Sequence, residues 1–351
     1  VSSNVNEVEL SFKLHCCSKL KDFVFKYEDL LGKEIWDVLD EKIQEEPGAF
    51  LSAINSYATR KKNIRIYLLI DEYDNFTNTI LSTYGTEFYR KATHGEGFIR
   101  GFFNVIKSAT TGTGAALERL FITGVSPVTM DDVTSGFNIG TNITNDSWFN
   151  DLVGFSENEL REMLEYYKEQ GVLQESIDEI VAMMKPNYDN YCFSEDTLEQ
   201  CMFNSDMALY FLKSFVLHHK KPKEIVDPNI RTDFNKLAYL IKLDHGLGEN
   251  FSVIKEIAEQ GEIITDIVTH FSALEMTDPS NFKSLLFYFG LLSIKGVDMV
   301  GRPILHVPNL VVREQLFNFL IQGYIKHDIF KIDMNKMRLE TFVRFYRQRC
   351  S

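Results

Sequence analysis

The sequence predicts a mixed α/β fold that gives way to helices and then to a small winged-helix-like module. Three observations carry this reading. An apolar strand, an amphipathic helix and a second apolar strand follow one another across residues 64–126. From about residue 156, helical patterns with polar connections dominate. Between 282 and 324, a helical pattern, two short strand patterns around a turn, and another helical pattern succeed each other. The expected division is an α/β core over 1–155, a helical lid region over 156–275, and the winged-helix-like module with a C-terminal helix over 276–351.

The elements follow in order. In "PGAFLSAINSYATRKKN", Phe50, Leu51, Ile54, Tyr57 and Ala58 fall at helical spacing, and basic residues close the helix. "IRIYLLI" is continuously apolar, which suits a parallel strand covered on both faces. A polar segment leads to "GFIRGFFNVIKSA", where Phe98, Ile99, Phe102, Phe103 and Ile106 form one stripe. A Gly-rich turn then precedes "LERLFITGVSP", the second strand. Strand, helix, strand is a βαβ unit with a right-handed crossover. Ser156 and Glu159 have capping-box spacing at the head of the next helix, which closes on Gly171. "KPNYDNYCF" and "KKPKEIVDPN" read as loops. "FKSLLFYFG" and "LVVREQLFNFLIQGY" read as helices on either side of the strand pair in "LLSIKGVDMVGRPILHVPN".

Composition bounds the function. With 351 residues, 44% of them hydrophobic, the chain can bury a large core. The net charge of -13 excludes a general binder of nucleic acid or anionic membrane and leaves only a local basic patch for such contacts. No apolar run is long enough to span a bilayer, and no signal-peptide pattern opens the chain. The five cysteines are odd in number and include no CxxC pair, which fits a reduced, cytoplasmic chain without a zinc knuckle or disulfide framework. A first residue of Val1 reads as a fragment or a processed product.

The chemistry concentrates where the strands end. In open α/β sheets ligands sit beyond the carboxyl ends of the strands. Asp71 and Glu72 end one strand, and Thr123 and Ser126 end its neighbour. Nucleotide hydrolases use an apolar strand followed by Asp-Glu beside a phosphate loop: the Asp holds Mg²⁺ through its water shell and the Glu polarises water. A hydroxyl on the adjacent strand can sense the γ-phosphate. The other reading is a solvated loop or a helix cap, and Asp74 is assigned to a turn or cap. No GxxxxGK[ST] loop is present; "GEGFIRG" (Gly95, Gly97, Gly101) and "GTGAA" (Gly112, Gly114) read as helix boundaries. His218-His219 reads as a solvated helix end. The C-terminal run with Arg338, Arg344, Arg347 and Arg349 among Phe342, Phe345 and Tyr346 reads as an amphipathic helix or a nucleic-acid contact.

"LLIDEYDNF", "LFITGVSPVTMDDVTSGFNIGTNIT" and "LVGFSENELREML" together resemble successive blocks of the bacterial AAA-ATPase-like family. "PNYDNYCF", "MFNSDMALYFL" and "LLFYFGLLSIKG" with "LHVPNLVVREQL" follow in the family's order, so that the resemblance spans about residues 1–325. It implies a partial P-loop NTPase-type parallel sheet with flanking helices, ATP and Mg²⁺ as ligands, and ATP hydrolysis in the intact protein. Asp71 and Glu72 match the Walker B pair: Asp71 would bind the cofactor's metal, and Glu72 would activate water. Thr123 takes the place of a sensor-like polar residue. The Ser135–Asn138 block is a family hallmark. The family's Walker A loop would precede Val1 and a PD-(D/E)XK nuclease domain would follow Ser351, so ATP binding by this chain alone is expected to be weak. Asn190 replaces the usual Gly of a Tyr-Asp-Gly-Tyr stretch and is expected to keep its left-handed turn.

Two other functional classes remain at this stage. One is a vestigial P-loop scaffold that binds nucleic acid or a protein partner through the winged-helix-like module, using Lys283, Lys295, Arg302 and Arg313. The other is a metal-dependent nuclease or phosphatase that uses Asp71, Glu72 and Asp74 directly.

Overall fold

The computed structural model describes residues 2–111, 115–133, 140–226 and 248–326. The chain forms two compact units, one of Val1–Asn142 with Val268–Met276 and the other of Ile143–Ile267 with Thr277–Ser351. The fold is mixed α/β, with a small parallel sheet in the first unit and an antiparallel one in the second. No helix of the described residues is long and apolar enough to cross a membrane.

The first unit runs α1 (Ser2–Lys26), α2 (Glu28–Leu31), α3 (Glu41–Glu45), α4 (Pro47–Tyr57), β1 (Ile66–Ile70), α5 (Asn75–Thr93), α6 (Phe98–Thr110), β2 (Leu117–Ile122) and α7 (Val128–Val133). Pro47 opens α4, where a missing N–H costs nothing, and the helix buries the predicted face of Phe50, Leu51, Ile54 and Tyr57. Full burial of Phe50 alone contributes about 2–3 kcal/mol of apolar transfer. Helix α6 buries Ile99, Phe103 and Ile106. Phe12 of α1 meets the rings of Phe76, Phe98 and Phe102 at centroid distances of 5.4, 5.3 and 5.6 Å, which ties three helices together.

Two features depart from the sequence reading. The segment read as polar is α5. Its buried residues Thr77, Ile80, Leu81, Phe88, Tyr89 and Ala92 do keep helical spacing, but Gly85 (φ 80°, ψ 179°) kinks the helix and breaks the period. The first strand is not covered on both faces. β1 and β2 are parallel, with Ile66 opposite Leu117, Leu69 opposite Phe121 and Ile70 opposite Ile122. Ile66 and Leu117 are buried, whereas Tyr67, Leu69 and Phe121 are 64%, 74% and 42% exposed. Among the described residues β1 pairs with β2 alone, so the apolar run fills a sheet with one open face.

The second unit packs α8 (Glu157–Glu169), α9 (Ile177–Tyr188) and α10 (Ser205–His218) around Leu160, Leu164, Ile180, Met184, Phe203 and Phe211. The predicted capping box is present: the Glu159 amide donates to Ser156 Oγ at 3.2 Å, and the Ser156 amide donates to Glu159 Oε2 at 2.8 Å. Next come α11 (Glu249–Gln260), β3 (Glu262–Ile264), α12 (Pro279–Tyr288), β4 (Ser293–Val297), β5 (Pro303–His306) and α13 (Leu310–Lys326). The predicted strand pair forms, and β3, too short to register as a sequence pattern, joins it in the antiparallel order β3-β5-β4. Asn190 has φ 75°, the left-handed turn expected of it, and its side-chain Nδ2 donates to the Pro308 carbonyl at 2.9 Å.

Candidate functional site

The parallel register of β1 and β2 brings the two strand ends together. Beyond the last pair, the Thr123 amide donates to the Ile70 carbonyl at 2.8 Å and the Tyr73 amide donates to the Thr123 carbonyl at 3.0 Å. The ladder thus reaches past both strands. It places Thr123 beside Asp71, and the Thr123 hydroxyl donates to Asp71 Oδ1 at 2.5 Å. That is a strong, charge-assisted bond between residues 52 apart in sequence. The two residues continue the alternation of the open sheet face, since Asp71 follows Tyr67 and Leu69 by steps of two, and Thr123 follows Phe121.

Glu72 turns the chain away from the strand. Its φ of 51° is left-handed, an unusual conformation for a non-glycine residue and one that gathers at functional sites. The Asn75 amide donates to the Glu72 carbonyl at 3.0 Å, and Asn75 Nδ2 donates to Glu72 Oε2 at 2.9 Å. Asp71 and Glu72 both stay exposed.

Asp74 behaves differently. It stands at the N-cap position of α5, but its side chain makes no cap bond. Instead the carboxylate, 1% exposed, crosses to the loop after β2. Oδ1 accepts from the Val125 amide at 3.1 Å, and Oδ2 accepts from the Ser126 amide at 3.2 Å and from Asn78 Nδ2 at 3.1 Å. The Tyr73 hydroxyl donates to the Ser126 carbonyl. Gly124 makes room for this: a Cβ there would lie 2.3 Å from the Tyr73 ring. Ser126, expected to lend its hydroxyl to the rim, is buried and joins the site through its backbone. Tyr73 and Gly124 carry no site role in the sequence reading, and Asp74 carries one only as a direct metal ligand. The recoverable signal was the pairing of "DEYD" with "TGVS", two loops that one parallel register must bring together.

The arrangement was tested for Mg²⁺. Among the described residues no group of three His, Cys, Asp or Glu side chains could hold a metal alone. One exposed carboxylate, fixed in orientation by a hydroxyl, does fit an ion carried mainly by water and phosphate oxygens. The three-carboxylate alternative fails, because Asp74 is buried and its oxygens are taken by Val125, Ser126 and Asn78.

The remaining expected features are placed as follows. The Gly95–Gly97 turn joins α5 to α6, and a Cβ at Gly97 would sit 2.3 Å from the Ala92 carbonyl oxygen, so this glycine serves backbone packing at a helix boundary. His219 ends α10 and meets Glu175 at 3.2 Å. Lys295 pairs with Glu262 at 2.6 Å and Arg302 with Asp298 at 2.8 Å. Gly112, Gly114, Ser135–Asn138 and the C-terminal arginine-aromatic run lie outside the described residues.

Residues 1–134 match the AAA-ATPase-like family, described as Predicted AAA-ATPase. No curated protein and no solved structure matches the chain.

Proposed function

With residues 1–134 assigned to an AAA-ATPase-like family, we propose that the rim of β1 and β2 is the metal- and water-handling half of a P-loop-type Mg-ATP site. The observation that carries this is the bond from Thr123 to Asp71, which fixes an exposed carboxylate at the carboxyl end of a parallel strand. Asp71 would hold the Mg²⁺ of a bound nucleotide through water. Glu72, exposed on its left-handed turn, would accept a proton from the attacking water once Asn75 releases it. Thr123 orients Asp71 and would sense the γ-phosphate. Bound Mg²⁺ supplies charge neutralisation between the phosphates.

The phosphate-cradling loop is not in the sequence, so these residues amount to half of a site. Residues 1–351 should accordingly bind Mg-ATP weakly. The helix, hairpin and helix over 279–326 are read as a winged-helix-like module. Its cations Lys295 and Arg302 are already paired, which favours the nucleotide reading over nucleic-acid binding there.

The test is Mg²⁺-dependent ATP hydrolysis by the protein. Glu72→Gln should lower turnover by about 100-fold or more while nucleotide still binds. Asp71→Ala should abolish the magnesium-dependent hydrolysis. An ATPase rate untouched by either change would overturn the proposal.

A further inference from the structure

We propose that Cys192 and Cys201 form a reversible disulfide that fastens the 192–201 loop of the second unit. Tyr191 and Met202 make an antiparallel bridge in which each amide donates to the other's carbonyl, at 3.1 and 2.7 Å. Cys192 and Cys201 are the next residues inward, one on each segment. The bridge is isolated, and the segments part only beyond this pair, around the Asn150 side chain, so that antiparallel geometry puts the two Cα atoms about 4.5–5.5 Å apart. This falls within the span of about 4.4–6.8 Å that a disulfide bridges. The backbone of Cys192 behaves as that position requires. Its amide donates to Ser293 Oγ at 2.8 Å and its carbonyl accepts from the Ile294 amide at 3.2 Å, so both groups point away from Cys201.

The side chains converge as well. By strand alternation both cysteines belong to the face opposite Tyr191 and Met202, and both thiols meet carbonyls of the 194–198 turn. Cys192 Sγ meets the Ser194 carbonyl at 3.1 Å and the Thr197 carbonyl at 3.6 Å; Cys201 Sγ meets the Leu198 carbonyl at 3.5 Å. Both are free thiols. The loop they would close is anchored at each end on Asn150, whose Nδ2 donates to the Gln200 carbonyl at 2.9 Å and whose Oδ1 accepts from the Phe193 amide at 3.1 Å. A spacing of eight residues between the cysteines resembles no redox motif, which is why the pair is invisible in the sequence.

The oxidant is a low-molecular-weight disulfide, here glutathione disulfide. The thiolate of Cys201, the more exposed of the two, attacks one glutathione sulfur; the glutathione S–S bond breaks and one glutathione thiolate leaves. Cys192 then gives its proton to solvent and attacks Cys201 Sγ, displacing the second glutathione thiolate. The protein loses two electrons and two protons, and the oxidant gains them. Burial, reinforced by the neighbouring Cys192, pushes the Cys201 thiol up to about 11, and burial also raises Cys192. Formation is therefore slow at neutral pH and faster as pH rises.

The experiment incubates the intact chain with glutathione disulfide at mildly alkaline pH, followed by alkylation and peptide mass mapping. The expected product is a Cys192–Cys201 cross-link whose yield over the mixed glutathione disulfide is at least about ten-fold higher in the folded chain than in urea. Its formation should raise the melting temperature by about 5 °C, reversibly with dithiothreitol. Cys192→Ser should stop the reaction at a mixed disulfide on Cys201, and Cys201→Ser should abolish the product. A glutathione adduct that persists on Cys201 in the wild-type chain, or an equal ratio of cross-link to adduct in folded and unfolded chains, would overturn the proposal. The ATPase tests do not touch these residues, so the two readings fail independently.

Discussion

Asp74 and Ser126, 52 residues apart, are joined by a carboxylate that is almost fully buried and accepts the Ser126 amide at 3.2 Å. With the Val125 amide and Asn78 Nδ2, Asp74 holds the loop after β2 against the turn after β1. Asp74→Ala would strand two amides in the interior. The expected loss is about 2–4 kcal/mol of unfolding free energy, measured by urea denaturation. Amide exchange at Val125 and Ser126 should accelerate more than exchange in α4. Equal acceleration in both places would mean that the carboxylate stabilises the unit without locking the loop.

Gly124 completes the same lock. A methyl group there would meet the Tyr73 ring at 2.3 Å and Asp74 Oδ1 at 2.8 Å. Gly124→Ala should therefore cost about 1–3 kcal/mol through the shift it forces. Pairing it with Tyr73→Ala removes the ring, so the double variant should lose less than the sum of the single losses. Additive losses would place the strain elsewhere.

These contacts also mark how far the sequence could be read. The strand, the Asp71-Glu72 pair and the second strand were legible because a continuous apolar run ending in carboxylates has few meanings. The Ser156–Glu159 cap and the β4–β5 hairpin were legible because their signals are local. Helix α5 was missed because Gly85 breaks its period, and β3 because three residues carry no pattern. Asp74 reads as a turn or cap residue from its position, and it does stand at the N-cap of α5, though its side chain makes no cap bond. Its real partners, Val125 and Ser126, are brought to it by the parallel register, which no local pattern encodes. The open face of Tyr67 and Leu69 escaped for a similar reason: an apolar strand declares what it could bury, not what covers it.

A second buried carboxylate ties residues 268–276 into the first unit. Asp132 of α7 accepts from the Tyr89 hydroxyl at 2.7 Å, the Ser272 hydroxyl at 2.7 Å and the Ala273 amide at 2.8 Å, with His94 Nε2 3.5 Å away. Tyr89→Phe removes one donor and should cost about 1.5–3 kcal/mol. Asp132→Ala should cost more and release the segment, read as new protease cleavage between 268 and 276. A cleavage pattern unchanged in Asp132→Ala would show that apolar contacts, Phe271 among them, hold the segment unaided.

His306 of β5 gives the second unit a pH dependence. Burial, with Lys295 adding to it and Glu262 opposing it, holds its imidazole below the ordinary histidine value. The unfolded chain therefore takes up a proton that the folded chain resists. The stabilising contribution of a neutral His306 is complete above the unfolded value of about 6.5, and it is lost as pH falls from there toward the lower folded value. Acidification from pH 7 toward pH 5 should lower the melting temperature of the second unit. His306→Gln, which keeps a polar side chain of similar reach but cannot titrate, should flatten that slope. It should leave the steeper loss at lower pH, where Glu157, held below the usual carboxylate range by Lys185 and Arg161, becomes protonated. An unchanged slope between pH 7 and pH 5 in the variant would assign the dependence to another group.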